Sequence, residues 1–164
     1  MNNGTLAEDI CKAVSVDAAL FSYTKLLGGY MSKALIQTVN PGTQTVAVDG
    51  IINLGSVIRR FGCNLRLNGN AIEVNGEGYY KVDCNVTLAP TAAGNVTVAL
   101  YKNGVALTGA TATGSVTTAG NFVTLPIQTT IKEGCCCDGG TALTLVLVEG
   151  ASTVSNVAVR VEKA

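Results

Sequence analysis

The sequence predicts an all-β domain, a sandwich or a barrel, entered through a short helical segment. Three observations carry that prediction. From Ser32 onward every apolar run has strand-like length or alternation, with no long helical spacing. The breaks between those runs are turn formers, including Asn40-Pro41-Gly42, Asp49-Gly50, Asn75-Gly76, Asn103-Gly104 and Glu149-Gly150. Residues 1–30 alone place apolar side chains at helical intervals.

The helical segment comes first. Thr5 and Glu8 have the spacing of a capping box, in which each side chain satisfies a free backbone N–H of the first turn. Leu6, Ile10 and Val14 follow, then Leu20, Leu26 and Leu27, before Gly28-Gly29 supplies a stop. Asp17 and Thr24 interrupt any strict heptad, so the segment reads as one helix or two rather than a long coiled coil. Its apolar positions are expected to anchor the chain or to join copies of it. The domain organisation is therefore 1–30 as a helical anchor and 31–164 as the β-domain.

Within the β-domain the expected strands are Ala34–Val39, Gln44–Val48, Ser56–Phe61, Asn64–Leu67, Ala71–Val74, Tyr79–Leu88, Asn95–Tyr101, Val105–Leu107, Phe122–Ile131, Ala142–Val148 and Thr153–Val161. The clearest is the stretch from Gly78. Tyr80, Val82, Cys84, Val86 and Leu88 share one face, and Tyr79, Lys81, Asp83, Asn85 and Thr87 share the other. Asn103-Gly104 then marks a tight hairpin, because both residues tolerate positive φ. Thr108–Gly120, small and polar throughout, reads as a long loop. Pro126 removes a ladder donor, which places its strand at a sheet edge or at a bulge. Thr141–Val148 is apolar on both faces, as in a central strand or one facing another subunit. Leu143, Leu145, Leu147, Val146 and Val148 are accordingly the sequence's candidates for a three-fold contact.

Composition bounds the partners. Hydrophobic residues make up 48% and charged residues 13%, a surface so poor in charge that association is expected. Eleven basic and 11 acidic residues cancel, and no basic run suggests nucleic acid. No stretch of the length a bilayer requires is continuously apolar, so no membrane span is expected. The start, MNNGTLAED, has neither the positive head nor the apolar centre of a secretory signal, so folding in a cytoplasm with reduced thiols is expected.

The candidate chemical groups are few. The absence of histidine removes the commonest general base and the usual partner of a nucleophilic serine or cysteine. Glu73 and Glu77 flank a turn, where solvated charges are the expected reading over a catalytic carboxylate pair. Cys84 lies on an apolar strand face and reads as core. Cys63, beside Gly62 at a strand end, is a candidate to approach the run Cys135–Cys137, but three adjacent cysteines point apart on a strand and make a poor zinc site; a cluster of one cysteine from each of three copies, or a disulfide formed after release from the cell, are the alternatives. Arg59, Arg60 and Arg66, with Lys33 and Lys81, read as a solvated face pairing with Glu73, Glu77 or Asp83, the alternative being a glycan or capsid contact. No catalytic, cofactor or metal site is assigned, and no enzyme activity is expected.

Several of these motifs together carry a resemblance. Gly78-Tyr79-Tyr80-Lys81-Val82, the hairpin Leu100-Tyr101-Lys102-Asn103-Gly104, the turn at Ile131–Gly134 before a long apolar strand, and the closing Val157–Lys163 follow one another in a familiar order. Residues 45–164 resemble the C1q/TNF-like jelly-roll family, closest to its bacterial and phage members of the BclA C-terminal type. The chain departs from that type in lacking collagen-like repeats and in carrying Cys135–Cys137 where the relatives have an acidic residue. The resemblance implies a jelly-roll β-sandwich that forms a homotrimer used for display or attachment. It further implies a virion accessory protein of a tailed bacteriophage, such as a head fibre or capsid decoration. Such a protein is made in the bacterial cytoplasm and held on the major capsid protein, with a host-surface glycan as candidate ligand. The alternative is a trimeric adhesin on a spore or cell surface.

Overall fold

The computed structural model describes residues 33–134 and 140–164. The helical segment and the anchor positions Leu6, Ile10, Val14, Leu20, Leu26 and Leu27 lie outside the described residues, as do Cys11 and Cys135–Cys137.

Twelve strands form the described domain. They are β1 (Leu35–Asn40), β2 (Gln44–Val46), β3 (Gly50–Ile51), β4 (Ser56–Phe61), β5 (Leu65–Asn68), β6 (Ala71–Val74), β7 (Gly78–Pro90), β8 (Gly94–Lys102), β9 (Val105–Val116), β10 (Val123–Glu133), β11 (Thr141–Glu149) and β12 (Ser152–Lys163). They make two six-stranded sheets. The first runs β10-β7-β12-β1-β4, with β2 beside β12; the second runs β5-β6-β11-β8-β9, with β3 beside β11. All pairings are antiparallel. From β6 to β12 the chain changes sheet at every connection except the β8–β9 hairpin, which is jelly-roll winding.

The alternation read from the sequence is what closes the sandwich. Tyr80, Val82, Cys84, Val86 and Leu88 of β7 meet Val96, Val98 and Leu100 of β8, Leu143, Leu145 and Leu147 of β11, and Val157, Val159 and Val161 of β12 in one core. Each of these side chains is at most 2% exposed. Two sheets packed face to face give a core about 10 Å thick, filled by alternate residues from each strand. Tyr80 is wholly buried, and its hydroxyl donates to the Gly76 carbonyl at 2.8 Å. That bond satisfies the one polar atom that the large ring carries into the core.

The expected edge position of Pro126 holds. β10 is the last strand of its sheet and pairs only with β7, in continuous register from Val123↔Leu88 to Glu133↔Gly78. Thr141–Val148 is a central strand, between β6 and β8. The hairpin at Asn103-Gly104 has both residues at positive φ (50° and 79°). Asn103 also grips β11: its N–H donates to the Ala142 carbonyl (2.9 Å), and its Oδ1 accepts from the Ala142 N–H (2.8 Å).

Two sequence readings need correction. Thr108–Gly120 is not a loop, since β9 continues to Val116. Ala110, Ala112 and Val116 face the core while Thr111, Thr113 and Ser115 face out. The inward residues are small because β9 and β10 approach closely: a Cβ on Gly114 would lie 3.0 Å from both Leu125 and Val123 side chains. The second correction concerns Gln44–Val48, where strand pairing stops at Val46. Asp49, at positive φ, then turns the chain and donates its N–H to Leu147 (2.7 Å), so that β3 joins the other sheet.

Candidate interaction surface

The outward face of the first sheet is built by register. One cross-strand row is Pro126–Asn85–Ala158–Val39–Ser56, crossing β10, β7, β12, β1 and β4 with no charge. The next two rows are Gln128–Asp83–Arg160–Gln37–Arg59 and Thr130–Lys81–Glu162–Leu35–Phe61. Tyr79 lies beyond them, opposite Lys132. Strand neighbours on one face touch, so these rows are contiguous patches rather than scattered residues.

At the free edge stands β4. All six of its residues are exposed, which is unusual for a strand in a sandwich. Phe61 is 63% and Ile58 53% exposed, and Tyr79 on the same sheet is 55% exposed. The register shift at Gln37/Thr38 leaves Ile58 without a partner opposite it and bends the strand locally. The edge also carries Arg59 and Arg60. An exposed edge strand with large apolar side chains is what soluble proteins normally avoid or cover.

The five β11 residues singled out by sequence divide between the strand's two sides. Leu143, Leu145 and Leu147 belong to the sandwich core of a single copy and are at most 2% exposed. In a single copy they are packed inside the sandwich. Alternation shows the two faces of a strand without showing which one meets the opposing sheet. Val146 and Val148 face away from that core; Val146 is 7% exposed and Val148 partly exposed.

Of the charged candidates, Arg66 and Glu73 meet each other. Arg66 pairs with Glu73 across the β5–β6 hairpin at 2.6 Å, and Asn68 donates to the same carboxylate at 2.5 Å. The Asn68 and Arg66 hydrogen bonds hold the Glu73 carboxyl below its ordinary value. Arg160 pairs with Glu162 along β12, and Lys102 sits 3.3 Å from Glu133 while donating to the Lys132 carbonyl. Among the described residues no group of three or more His, Cys, Asp or Glu could hold a metal. No helix among them is long and apolar enough to cross a membrane.

The two described cysteines differ. Cys84 is a free thiol in the core, as read from sequence, and burial pushes its pKa up to about 12, with Asp83 adding to the effect. Cys63, in the β4–β5 turn, is disulfide-bonded. The apolar edge at Ile58 and Phe61 escaped sequence reading. Its signal was there: Val57-Ile58 breaks the alternation that a half-buried strand would show.

No protein-family model matches the chain, and no curated protein sequence matches it. Solved structures do. Murine APRIL superposes with a TM-score of 0.64 at 12% identity, covering 80% of this chain and 99% of that one. The fold is a C1q/TNF-like jelly roll. The globular domain of zebrafish complement 1qA agrees, with a TM-score of 0.60 at 8% identity over 79% of this chain and 94% of that one. The vertex protein P5 of phage PRD1 shares the jelly roll more loosely, with a TM-score of 0.51 at 10% identity over 79% and 72%.

Proposed function

We propose that this chain is a non-enzymatic display domain that assembles as a homotrimer and is carried on a virus particle. The observation that carries the reading is the exposed β4 edge, with Ile58 and Phe61, beside the uncharged row Pro126–Asn85–Ala158–Val39–Ser56. Burying that edge against the outer face of the same sheet in the next copy removes apolar surface from water and covers an open strand edge. A contact of this head-to-tail kind closes into a ring when the rotation between copies is right. Arg59 and Arg60 lie on the edge, and Asp83 and Glu162, which share the outer face with Lys81 and Arg160, are the acidic groups they would meet on the next copy. A specific contact of this kind buries about 1,000 Å² or more.

The virion reading rests on the shared jelly roll of a phage vertex protein together with the low charge and high apolar content of the chain. In this reading residues 1–30 hold each copy on the particle, with the major capsid protein as partner. The β-domain faces outward, where a host-surface glycan is the candidate ligand. The test is the protein content of purified particles. The full chain is expected at a copy number divisible by three, and a chain lacking residues 1–30 is expected to trimerise but to be missing from particles. Equal incorporation of the truncated chain contradicts the anchoring role.

A further inference from the structure

One end of the β7–β10 ribbon carries side chains that neither the core nor the ion pairs use. Tyr80 points into the core, so the pleat turns Tyr79 outward, where it is 55% exposed. Lys132 stands directly across from Tyr79. Lys81 follows two residues along the same face, with Thr130 across from it, and the next pair is Asp83 and Gln128. Directly opposite side chains have Cβ atoms about 4.5–5.5 Å apart, and diagonal ones are about 7–8 Å apart. The Tyr79 ring therefore lies within side-chain reach of both ammonium groups. The block sits on β10 and β7, at the edge of the first sheet opposite β4.

Lys81 and Lys132 are both exposed, and neither has an ion-pair partner among the described residues. The neighbouring acids are engaged by other cations. Glu133 meets Lys102 at 3.3 Å, Glu162 meets Arg160, and Asp83 stands opposite Arg160. Two like charges this close repel each other, and a bound anion relieves that repulsion.

The parts of the block define what it can hold. A tyrosine ring presents a flat apolar face with one polar tip, which suits the C–H face of a sugar ring. Two lysines donate charge-assisted hydrogen bonds to a carboxylate or phosphate. Thr130 and Gln128 offer a hydroxyl and an amide to sugar hydroxyls. The Asp83 carboxylate at the far end disfavours a nucleic acid, which carries a phosphate at every nucleotide. A sugar polymer with spaced charges does not meet that repulsion.

We propose that the block Tyr79, Lys132, Lys81 and Thr130 binds an acidic polysaccharide. A sugar ring lies on Tyr79, and its carboxylate or phosphate lies between Lys81 and Lys132. The proposal rests on the glycan part of the reading above and gives that ligand a site and a charge.

Calorimetry on the full chain tests it with four probes: an oligogalacturonate, its uncharged methyl ester, a glucose-bearing poly(glycerol phosphate) and an oligothymidylate. Wild type is expected to bind one or both acidic sugar polymers, more weakly as salt is added, and not the ester. Which of the two binds separates carboxylate from phosphate. Tyr79→Ala should weaken binding about tenfold, and the Lys81→Gln, Lys132→Gln double variant about a hundredfold. Tyr79→Phe, which keeps the ring, should bind as wild type does. The proposal is overturned if neither acidic polymer binds, if the ester binds equally, if oligothymidylate binds more tightly than both, or if Tyr79→Ala binds as wild type. Light scattering on the same samples keeps the two readings apart. A monomer that binds upholds the site and overturns the trimer, and a trimer that binds neither acidic polymer does the reverse.

Discussion

Phe61 stands directly across from Leu35 on the outward face of the first sheet, at its open edge. Leu35 is partly buried by its neighbours, but Phe61 is 63% exposed. A large aromatic side chain so placed contributes little to a single copy beyond its cross-strand contact. Replacing it with a charge is therefore expected to leave the fold intact and weaken only contact between copies. The Phe61→Asp chain should unfold within about 0.5 kcal/mol of wild type when both are measured as monomers at low concentration.

Tyr80 tests the core that the sequence marked most clearly. Its hydroxyl is buried and bonded to the Gly76 carbonyl. Tyr80→Phe removes the donor and leaves that carbonyl without this partner. A loss of about 1–2 kcal/mol in urea unfolding is expected. No loss would mean that water replaces the phenol there.

Thr38 gives the opposite sign. It is fully buried in β1, and its hydroxyl oxygen has no hydrogen-bond partner among the described residues. Thr38→Val keeps the shape and removes the desolvated hydroxyl. The variant should be more stable by about 1 kcal/mol in the same assay. Destabilisation would show that the hydroxyl has a partner.

Gly114 tests the close approach of β9 and β10. A Cβ there meets the ends of Leu125 and Val123 at 3.0 Å, and those side chains can yield a little. Gly114→Ala should be tolerated, while Gly114→Val should cost about 1–3 kcal/mol by overpacking.

Cys84 predicts a pH dependence. Its thiol is held protonated up to about pH 12 in the folded chain, whereas an unfolded cysteine ionises near 8.5. The folded state therefore binds the proton more tightly. Its contribution is fully present below the unfolded pKa and is lost as pH rises toward 12. Stability should fall by up to about 1.4 kcal/mol per pH unit in that window. Cys84→Ala should flatten the fall. The folded wild-type thiol should also resist iodoacetamide at pH 9, and rapid alkylation would contradict its burial.

These elements show what the sequence made legible. β7 and the Asn103-Gly104 hairpin were readable because large alternating side chains and a two-residue turn each have one physical interpretation. β9 was not, because Ala110, Ala112 and Gly114 alternate with threonines and carry almost no hydropathy contrast. The β11 leucines were read as apolar correctly, but the side of the sheet they occupy depends on tertiary packing. For the interaction surface, Arg59 and Arg60 drew notice as charges. The meaning of Ile58 and Phe61 lay in β4 being an edge, which is a property of sheet order and not of local pattern.

In the proposed assembly, copies of this chain associate through the β4 edge. Light scattering on the full wild-type chain and on Phe61→Asp, at the same concentration, tests it most directly. The expected wild-type mass is about three times the 16.7 kDa of one chain, and the expected Phe61→Asp mass is that of one chain, with unchanged far-UV circular dichroism. A monomeric wild type, or a Phe61→Asp chain that stays trimeric, would contradict it.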